Sequence, residues 1–165
     1  MSSKDRKIIE NDGFVGFYGC EYSNFYKSSF ILNGITFNCS EQAFMYCKAM
    51  LFNDQEMADK ILNSSNPVEC KRLGRKVKNF NGDVWNEKKE GYMKSILYSK
   101  FINNPKLKEM LLSTGDKIIV ECSPYDNEWG CGLGVDDFFN QNCNMNGHNK
   151  LGFALMAVRE KLKEG

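Results

Sequence analysis

Histidine is nearly missing from this 165-residue chain, where His148 stands alone. With no Cys-x-x-Cys pair beside it, the sequence lacks the ligand sets that hold zinc, and neither a metal nor another cofactor is expected. The seven cysteines, at 20, 39, 47, 70, 122, 131 and 143, are odd in number and scattered. That spacing argues against a disulfide framework and for reduced thiols packed as small apolar groups, so the expected compartment is the cytoplasm. Long apolar runs are also lacking. None approaches the ~18 residues of a membrane span, the first residues carry no apolar signal segment, and no membrane contact is expected. Nor is one sign of charge in excess: Lys and Arg number 22 against 21 Asp and Glu, a net charge of +1. Bulk electrostatics therefore do not demand nucleic acid, and any polyanion contact falls to a local patch. The nearest is Lys71, Arg72, Arg75, Lys76 and Lys78, which reads either as a phosphate-holding cluster or as a solvated helix face.

The length suits one domain with a real core, expected over 13–165 behind a flexible start at 1–12. A strand is expected at 13–18 and a hairpin over 30–37, where Asn33-Gly34 suits a type I′ turn because both central residues need positive φ. Ser40 is placed to cap a helix reaching about Phe52, a second helix begins near Asp54, and Pro67 opens a third at its first position. Met93, Ile96, Leu97 and Phe101 recur at helical spacing in a long helix over 83–103. A short helix at 106–112, a strand at 117–122 and a last helix capped by Asn149 complete the pattern. Helices without regular strand–helix alternation indicate α+β: a mostly helical single domain around a small sheet with a β-hairpin.

Among groups that carry chemistry, Glu41 falls in the first turn of its helix, where the dipole favours the ionised carboxylate, and Lys48 projects from the same face two turns on. They read either as a surface ion pair or as a carboxylate that acts on water or a cationic centre beside an ammonium that holds an anion. Trp85 stands on one line with Lys89 and Tyr92, as a core anchor or as a stacking platform for a planar ring. The loop 123–134 sets Asp126, Glu128 and Trp129 among Gly130, Gly132 and Gly134, either as one wall of a small-molecule site or as a glycine-rich turn. Two acids with two tryptophans suit a ring attached to a sugar, because an oxocarbenium-like state needs negative charge nearby.

Taken in order, these pieces resemble the YbiA-like family of N-glycosidases, also called NADAR. The resemblance rests on Tyr22-Ser23-Asn24-Phe25-Tyr26, Ser40-Glu41-Gln42 with Lys48-Ala49 and Leu51-Phe52, Leu73-Gly74-Arg75, Trp85, Lys100-Phe101, and Leu111-Leu112-Ser113-Thr114-Gly115. It continues through Val120-Glu121, Asp126-x-x-Trp129-Gly130-x-Gly132, and Gly147-x-Asn149-x-Leu151-Gly152. Such membership implies hydrolysis of an N-glycosidic bond, in ribosylamino intermediates of early riboflavin synthesis or in ADP-ribosylated guanine. The bacterial YbiA pattern has Glu-His where this chain has Glu41-Gln42, and the present pair looks closer to the branch that includes ADP-ribosyl-guanine hydrolases. The resemblance marks Glu41, Trp85 and Asp126 as functional, and Lys48 joins them as a catalytic candidate, with a Schiff base between Lys48 or Lys89 and the opened sugar as the alternative to carboxylate chemistry. Candidate substrate-binding residues are Ser23, Asn24, Phe25, Arg75, Lys89, Trp129, Gly130 and Asn149. The implied partner is a small nucleotide-like substrate or ADP-ribosylated guanine, with a nucleic-acid substrate in a toxin-countering eraser as one alternative and an ADP-ribose-binding module without turnover as another. Because none of these readings uses a thiol, Cys→Ser variants should keep their turnover in an N-glycosidase assay, and its loss with any single one would restore cysteine chemistry.

Overall fold

A computed structural model describes residues 6–165. In chain order the first elements are β1 (Lys7–Glu10), β2 (Phe14–Tyr18), β3 (Phe30–Leu32), β4 (Ile35–Phe37), α1 (Ser40–Leu51), α2 (Gln55–Leu62) and α3 (Pro67–Gly74). They are followed by α4 (Gly82–Ile102), α5 (Pro105–Leu112), β5 (Ile118–Glu121), α6 (Val135–Asn140) and α7 (Lys150–Glu164). The α+β expectation holds. Contacts divide the chain into two compact units, one of residues 6–26 with Pro105–Gly165 and one of Lys27–Asn104.

The first unit is built on a three-stranded sheet in the order β1-β2-β5. β1 runs antiparallel to β2 and β5 parallel to it, with Val15 opposite Ile119 and Gly16 opposite Val120. Residues 7–10 were expected to belong to a flexible start. They form a strand instead, because β2 offers an edge and Ile8 and Ile9 become half-buried when they pair there. The remainder of that start, residues 1–5, lies outside the described residues. α6 is a second element the sequence reading did not find. Its Phe138 is fully buried and meets Phe14 edge-on at 5.7 Å. Phe139 lies over Gly16, where an added Cβ would come within 2.8 Å of its ring, so the ring needs a glycine in the strand beneath it. On α7, Gly152 approaches the Ile119 carbonyl so closely that a Cβ would sit 2.1 Å from the oxygen. Leu151, Leu155, Val158 and Leu162 close the core there. The Arg159 guanidinium is buried with them and donates to the Thr114 hydroxyl at 2.9 Å and the Lys117 carbonyl at 2.8 Å.

The second unit is helical around α1, which packs against α2, α3 and α4. Ser40, Glu41, Gln42, Ala43, Phe44, Met45 and Ala49 are all buried, so a twelve-residue helix carries polar groups inward along with apolar ones. Met93, Ile96, Leu97 and Phe101 of α4 are fully buried, as their spacing foretold. The β3–β4 hairpin turns at Asn33 (φ 52°) and Gly34 (φ 81°), both positive as a type I′ turn requires. Asp54 caps α2 by accepting from the Met57 N–H, and Asn66 and Asn81 cap α3 and α4. Ser40 departs from expectation. It is the first helical residue rather than the cap, which falls on Cys39 in extended conformation, and among the described residues the buried Ser40 hydroxyl has no hydrogen-bond partner.

Asn149, expected as the cap of the last helix, holds that position in the left-handed region (φ 51°) without a side-chain bond to the helix. Its amide reaches β5 instead, accepting from the Glu121 N–H at 2.9 Å and donating to the Ile119 carbonyl at 2.9 Å. Asn149→Ala removes both bonds and places a poorer residue at positive φ, so it should cost about 3 kcal/mol. Asn149→Gly keeps the conformation and loses only the amide. Urea melts of the two variants should show the glycine form as the more stable, and equal midpoints would deny the backbone its share.

Candidate active site

In the second unit, the helical rise brings Glu41 and Lys48 onto one face of α1, and the packing of α4 and of the segment after α3 adds aromatic neighbours. Glu41 is 8 % exposed, so it is no surface ion-pair partner. Gln42 beside it explains why this turn is buried. Its carboxamide donates to the carbonyls of Ile61 (3.2 Å), Leu62 (3.1 Å) and Ser64 (2.9 Å) and accepts from the Asn38 N–H (2.8 Å). Carbonyls left over at the end of α2 are thereby satisfied by the first turn of α1.

Lys48 is half-buried. Burial lowers its pKa, the Glu41 charge opposes that shift, and the Arg75 cation adds to it. Its ammonium lies 4.7 Å from the centroid of the Phe80 ring and 5.9 Å from that of Trp85. Trp85 is buried, with Phe44 at 4.9 Å and Tyr92 stacked at 6.0 Å, so most of its surface already serves the aromatic cluster. Lys89, one turn further along α4, is also buried and donates to Asn86 Oδ1 at 2.7 Å. Arg75 is exposed at the end of α3. Glu41, Lys48, Arg75 and Trp85 thus form one charged and aromatic group, to which the structure adds two residues the sequence reading did not assign to the site. Gln42 was legible as a neighbour of Glu41 but not as its clamp, and Phe80 carries no periodic signal in its Asn-rich segment.

The basic run begins on α3 with Lys71 and Arg72 and continues past its end, with Arg72 and Lys76 beside acids of α2 and α3. Arg72 pairs with Glu69, and an open groove of about 730 Å³ along α2 and α3 is lined by Glu56, Asp59 and Glu69 as well as by Lys60, Arg72 and Lys76.

In the first unit, Asp126 Oδ1 accepts from the N–H groups of Glu128 and Trp129, each at 2.9 Å, and so builds the turn that presents the half-buried Trp129. The strip 146–151 seals this loop with donations from Asn149 to Gly130, from Lys150 to Glu128 and from Leu151 to Trp129, backbone to backbone at 3.0–3.1 Å. Gly130 was expected to let the chain approach a ligand. What it admits is the chain itself, since a Cβ there would lie 2.9 Å from the Asp126 carbonyl. Gly147 is equally tight, with the carbonyls of Asn127 and Gly130 each 2.7 Å from its would-be Cβ. At the base of the loop, the Cys131 N–H donates to the Glu121 carbonyl, and the Cys122 and Cys131 thiols donate to the Val120 and Leu133 carbonyls. The proximity of the two thiols favours ionisation of Cys131 over that of Cys122, whose titration is raised by its neighbour and by burial.

The segment 22–26 belongs to this unit as well. The buried Tyr22 hydroxyl donates to the Met110 carbonyl at 3.0 Å, and Ser23 Oγ accepts from the Phe25 N–H at 3.1 Å. The buried Asn24 Oδ1 has no hydrogen-bond partner among the described residues. Among the described residues, no group of three or more His, Cys, Asp or Glu is arranged for a metal ion, and no helix is long and apolar enough to cross a membrane.

The model of the NADAR domain family matches residues 5–163 and so spans both units. A relative in Caenorhabditis elegans, "Protein irg-1", is 37 % identical over 97 % of this chain and 82 % of its own length. "N-glycosidase R617" of Acanthamoeba polyphaga mimivirus is 37 % identical over 93 % of this chain and 98 % of its own. Among solved structures, the NMR structure of Escherichia coli YbiA superimposes with a TM-score of 0.77 at 28 % identity, covering 94 % of this chain and 88 % of that one.

A lysine whose pKa is lowered sheds its proton below the ordinary value of 10.5, so an anion held by Lys48 should be released earlier on the alkaline side than from an exposed lysine. Calorimetric titration with inorganic phosphate from neutral to strongly alkaline pH should show affinity falling before that value. Lys48→Arg should move the fall to higher pH, and an identical profile in that variant would detach the anion from Lys48.

Proposed function

The chain belongs to the NADAR domain family, and from that premise we propose that it is a hydrolase cleaving the N-glycosidic bond between a ribosyl phosphate or ADP-ribosyl group and a nitrogenous base. Relatives named N-glycosidase support the reaction class. The observation that carries the reading in this chain is Glu41, a carboxylate nearly removed from solvent in the first turn of α1, with the Lys48 charge acting on it. A buried anion fixed in place is what a developing oxocarbenium requires, because it stabilises positive charge without having to reorganise when the charge forms.

In the proposed reaction the bond from the anomeric carbon to the base nitrogen breaks with its electron pair on the nitrogen. Water adds its hydroxyl to the anomeric carbon, and the remaining proton goes to the base. Glu41 either orients that water as a base or faces the cationic carbon. Lys48 and Arg75 hold phosphate, and Trp85 fixes the wall from which Lys48 projects. In the first unit, taken by itself, Asp126 and Trp129 are candidates for contact with a sugar or base. In the same unit, Asn24 Oδ1 is buried and has no partner among the described residues, which suits a donor from a ligand. Ser23 and Phe25 position Asn24 through their turn, and Lys89 and Gly130 act through the shape of their elements. Asn149 holds the 123–130 loop through β5. The family model's span over both units supports treating 13–165 as one functional domain.

Purified protein incubated in parallel with riboflavin-pathway ribosylamino phosphates and with ADP-ribosylated guanosine should release ribose 5-phosphate or ADP-ribose, followed by mass spectrometry. The set that is cleaved names the substrate class, and silence on both supports a binding module without turnover. Glu41→Gln should lower kcat by roughly a hundredfold or more with the fold retained. Turnover near the unaltered rate in that variant would remove Glu41 from the chemistry.

A further inference from the structure

Phe80 lies outside every motif that carries the family resemblance, yet its ring centroid lies 4.7 Å from the Lys48 ammonium, nearer than that of Trp85 at 5.9 Å. It sits in the short connection between α3 and α4, just after Asn79 at positive φ (60°) and just before Asn81, whose side chain caps α4. That backbone is pinned at its start, where the Lys78 N–H donates to Asp54 Oδ2 at 2.8 Å. The ring packs edge-on against Phe52 at 5.4 Å and remains 49 % exposed. A large apolar ring half in water, without a full core position, gains little from burial alone, so its energetic role lies in what its face touches.

We infer that Phe80 is a positioning residue for Lys48, its aromatic face holding the charged ammonium in place at the mouth of the Glu41 group. The inference rests on the N-glycosidase reading for its purpose and on the geometry alone for its substance. Burial of Lys48 works against its charge, and so does Arg75 at the end of α3. Glu41, on α1 itself, works in its favour, while α4 and the 79–81 segment present Trp85 and Phe80 to it. An aromatic face attracts a cation without adding a charge of its own, so Phe80 favours the ammonium while keeping water away from it. An acidic residue placed there would also favour the ammonium, but it would repel the phosphate that Lys48 is proposed to bind.

Two substitutions separate these effects, because one keeps the apolar bulk and the other removes it. Phe80→Leu preserves the shield and loses the π face, so the Lys48 titration should move lower, by about half a unit to one unit. Phe80→Ala admits water, so the titration should move less far down than in the leucine form, or upward. Phe80→Trp should restore the native value. NMR of selectively labelled lysine side chains, with the Lys48 signal assigned by its disappearance in Lys48→Arg, reads this without any substrate. If the full protein is inactive on every N-glycoside while these shifts appear, the function reading fails and the positioning role stands. If Lys48 titrates identically in Phe80→Leu and the unaltered protein, the positioning role is overturned, whatever happens to turnover. Where turnover is present, Phe80→Leu should raise KM for a phosphate-bearing substrate more than it lowers kcat, and a loss confined to kcat would likewise overturn it.

Discussion

The carboxamide of Gln42 is the contact on which the second unit's chemistry depends. Four hydrogen bonds join it to the backbone at Asn38, Ile61, Leu62 and Ser64, so the start of α1 and the end of α2 become one fixed piece. A carboxylate is costly to take out of water unless other groups compensate. The rigid first turn supplies such groups to Glu41 in the form of a helix N-terminus and the nearby ammonium two turns along. Were the turn free to move, the carboxylate would swing toward solvent. Water would then reorganise around it as charge developed, and most of its electrostatic value would be lost.

The first unit solves a different problem by similar means. A loop with two acids, a tryptophan and several glycines has little intrinsic order, and its shape is imposed by backbone pairing with residues 146–151. Asn149 transmits the order of the sheet to that loop. Its side chain is spent on β5 and its N–H on the Gly130 carbonyl, so one buried residue ties strand, loop and α7 together. Gly147 follows from that pairing, because its strip lies too close to the Asn127 and Gly130 carbonyls for a Cβ, whereas Gly130 is required by the fold of its own loop onto the Asp126 carbonyl.

What the sequence made legible was mostly local. Asn33-Gly34 permits few conformations other than a tight hairpin, and the helix expected to begin near Asp54 does begin there. Pro67 opens α3, as its fixed φ favours. Ser40 shows where local rules give out. By propensity its hydroxyl should cap α1, but the chain enters that helix through an extended Cys39, and tertiary burial places Ser40 inside the first turn. β1 could not be read from 7–10 because two isoleucines between charged ends make a strand only when a neighbouring edge accepts them. At the site, the seven-residue spacing of Glu41 and Lys48 was visible, whereas Phe80 meets Lys48 through the packing of a connection onto α1, and no periodicity in the sequence encodes that.

The departure at Gln42 bears on how the site responds to pH. A neutral imidazole, the group the resemblance to bacterial YbiA leads one to expect beside Glu41, offers one donor and one acceptor, whereas a carboxamide offers two donors and an acceptor at once. Three carbonyls and one N–H converge here, so the amide suits this junction better than the ring does. An imidazole in the same turn as Glu41 would also titrate near neutral pH and change the field at the carboxylate. Glutamine keeps the clamp uncharged throughout. The burden of pH response then falls on Lys48, whose charge is set by burial and Arg75 on one side and by Glu41 and the Phe80 face on the other. A site arranged this way should lose function at its alkaline edge through its anion-binding cation while its junction between α1 and α2 stays intact.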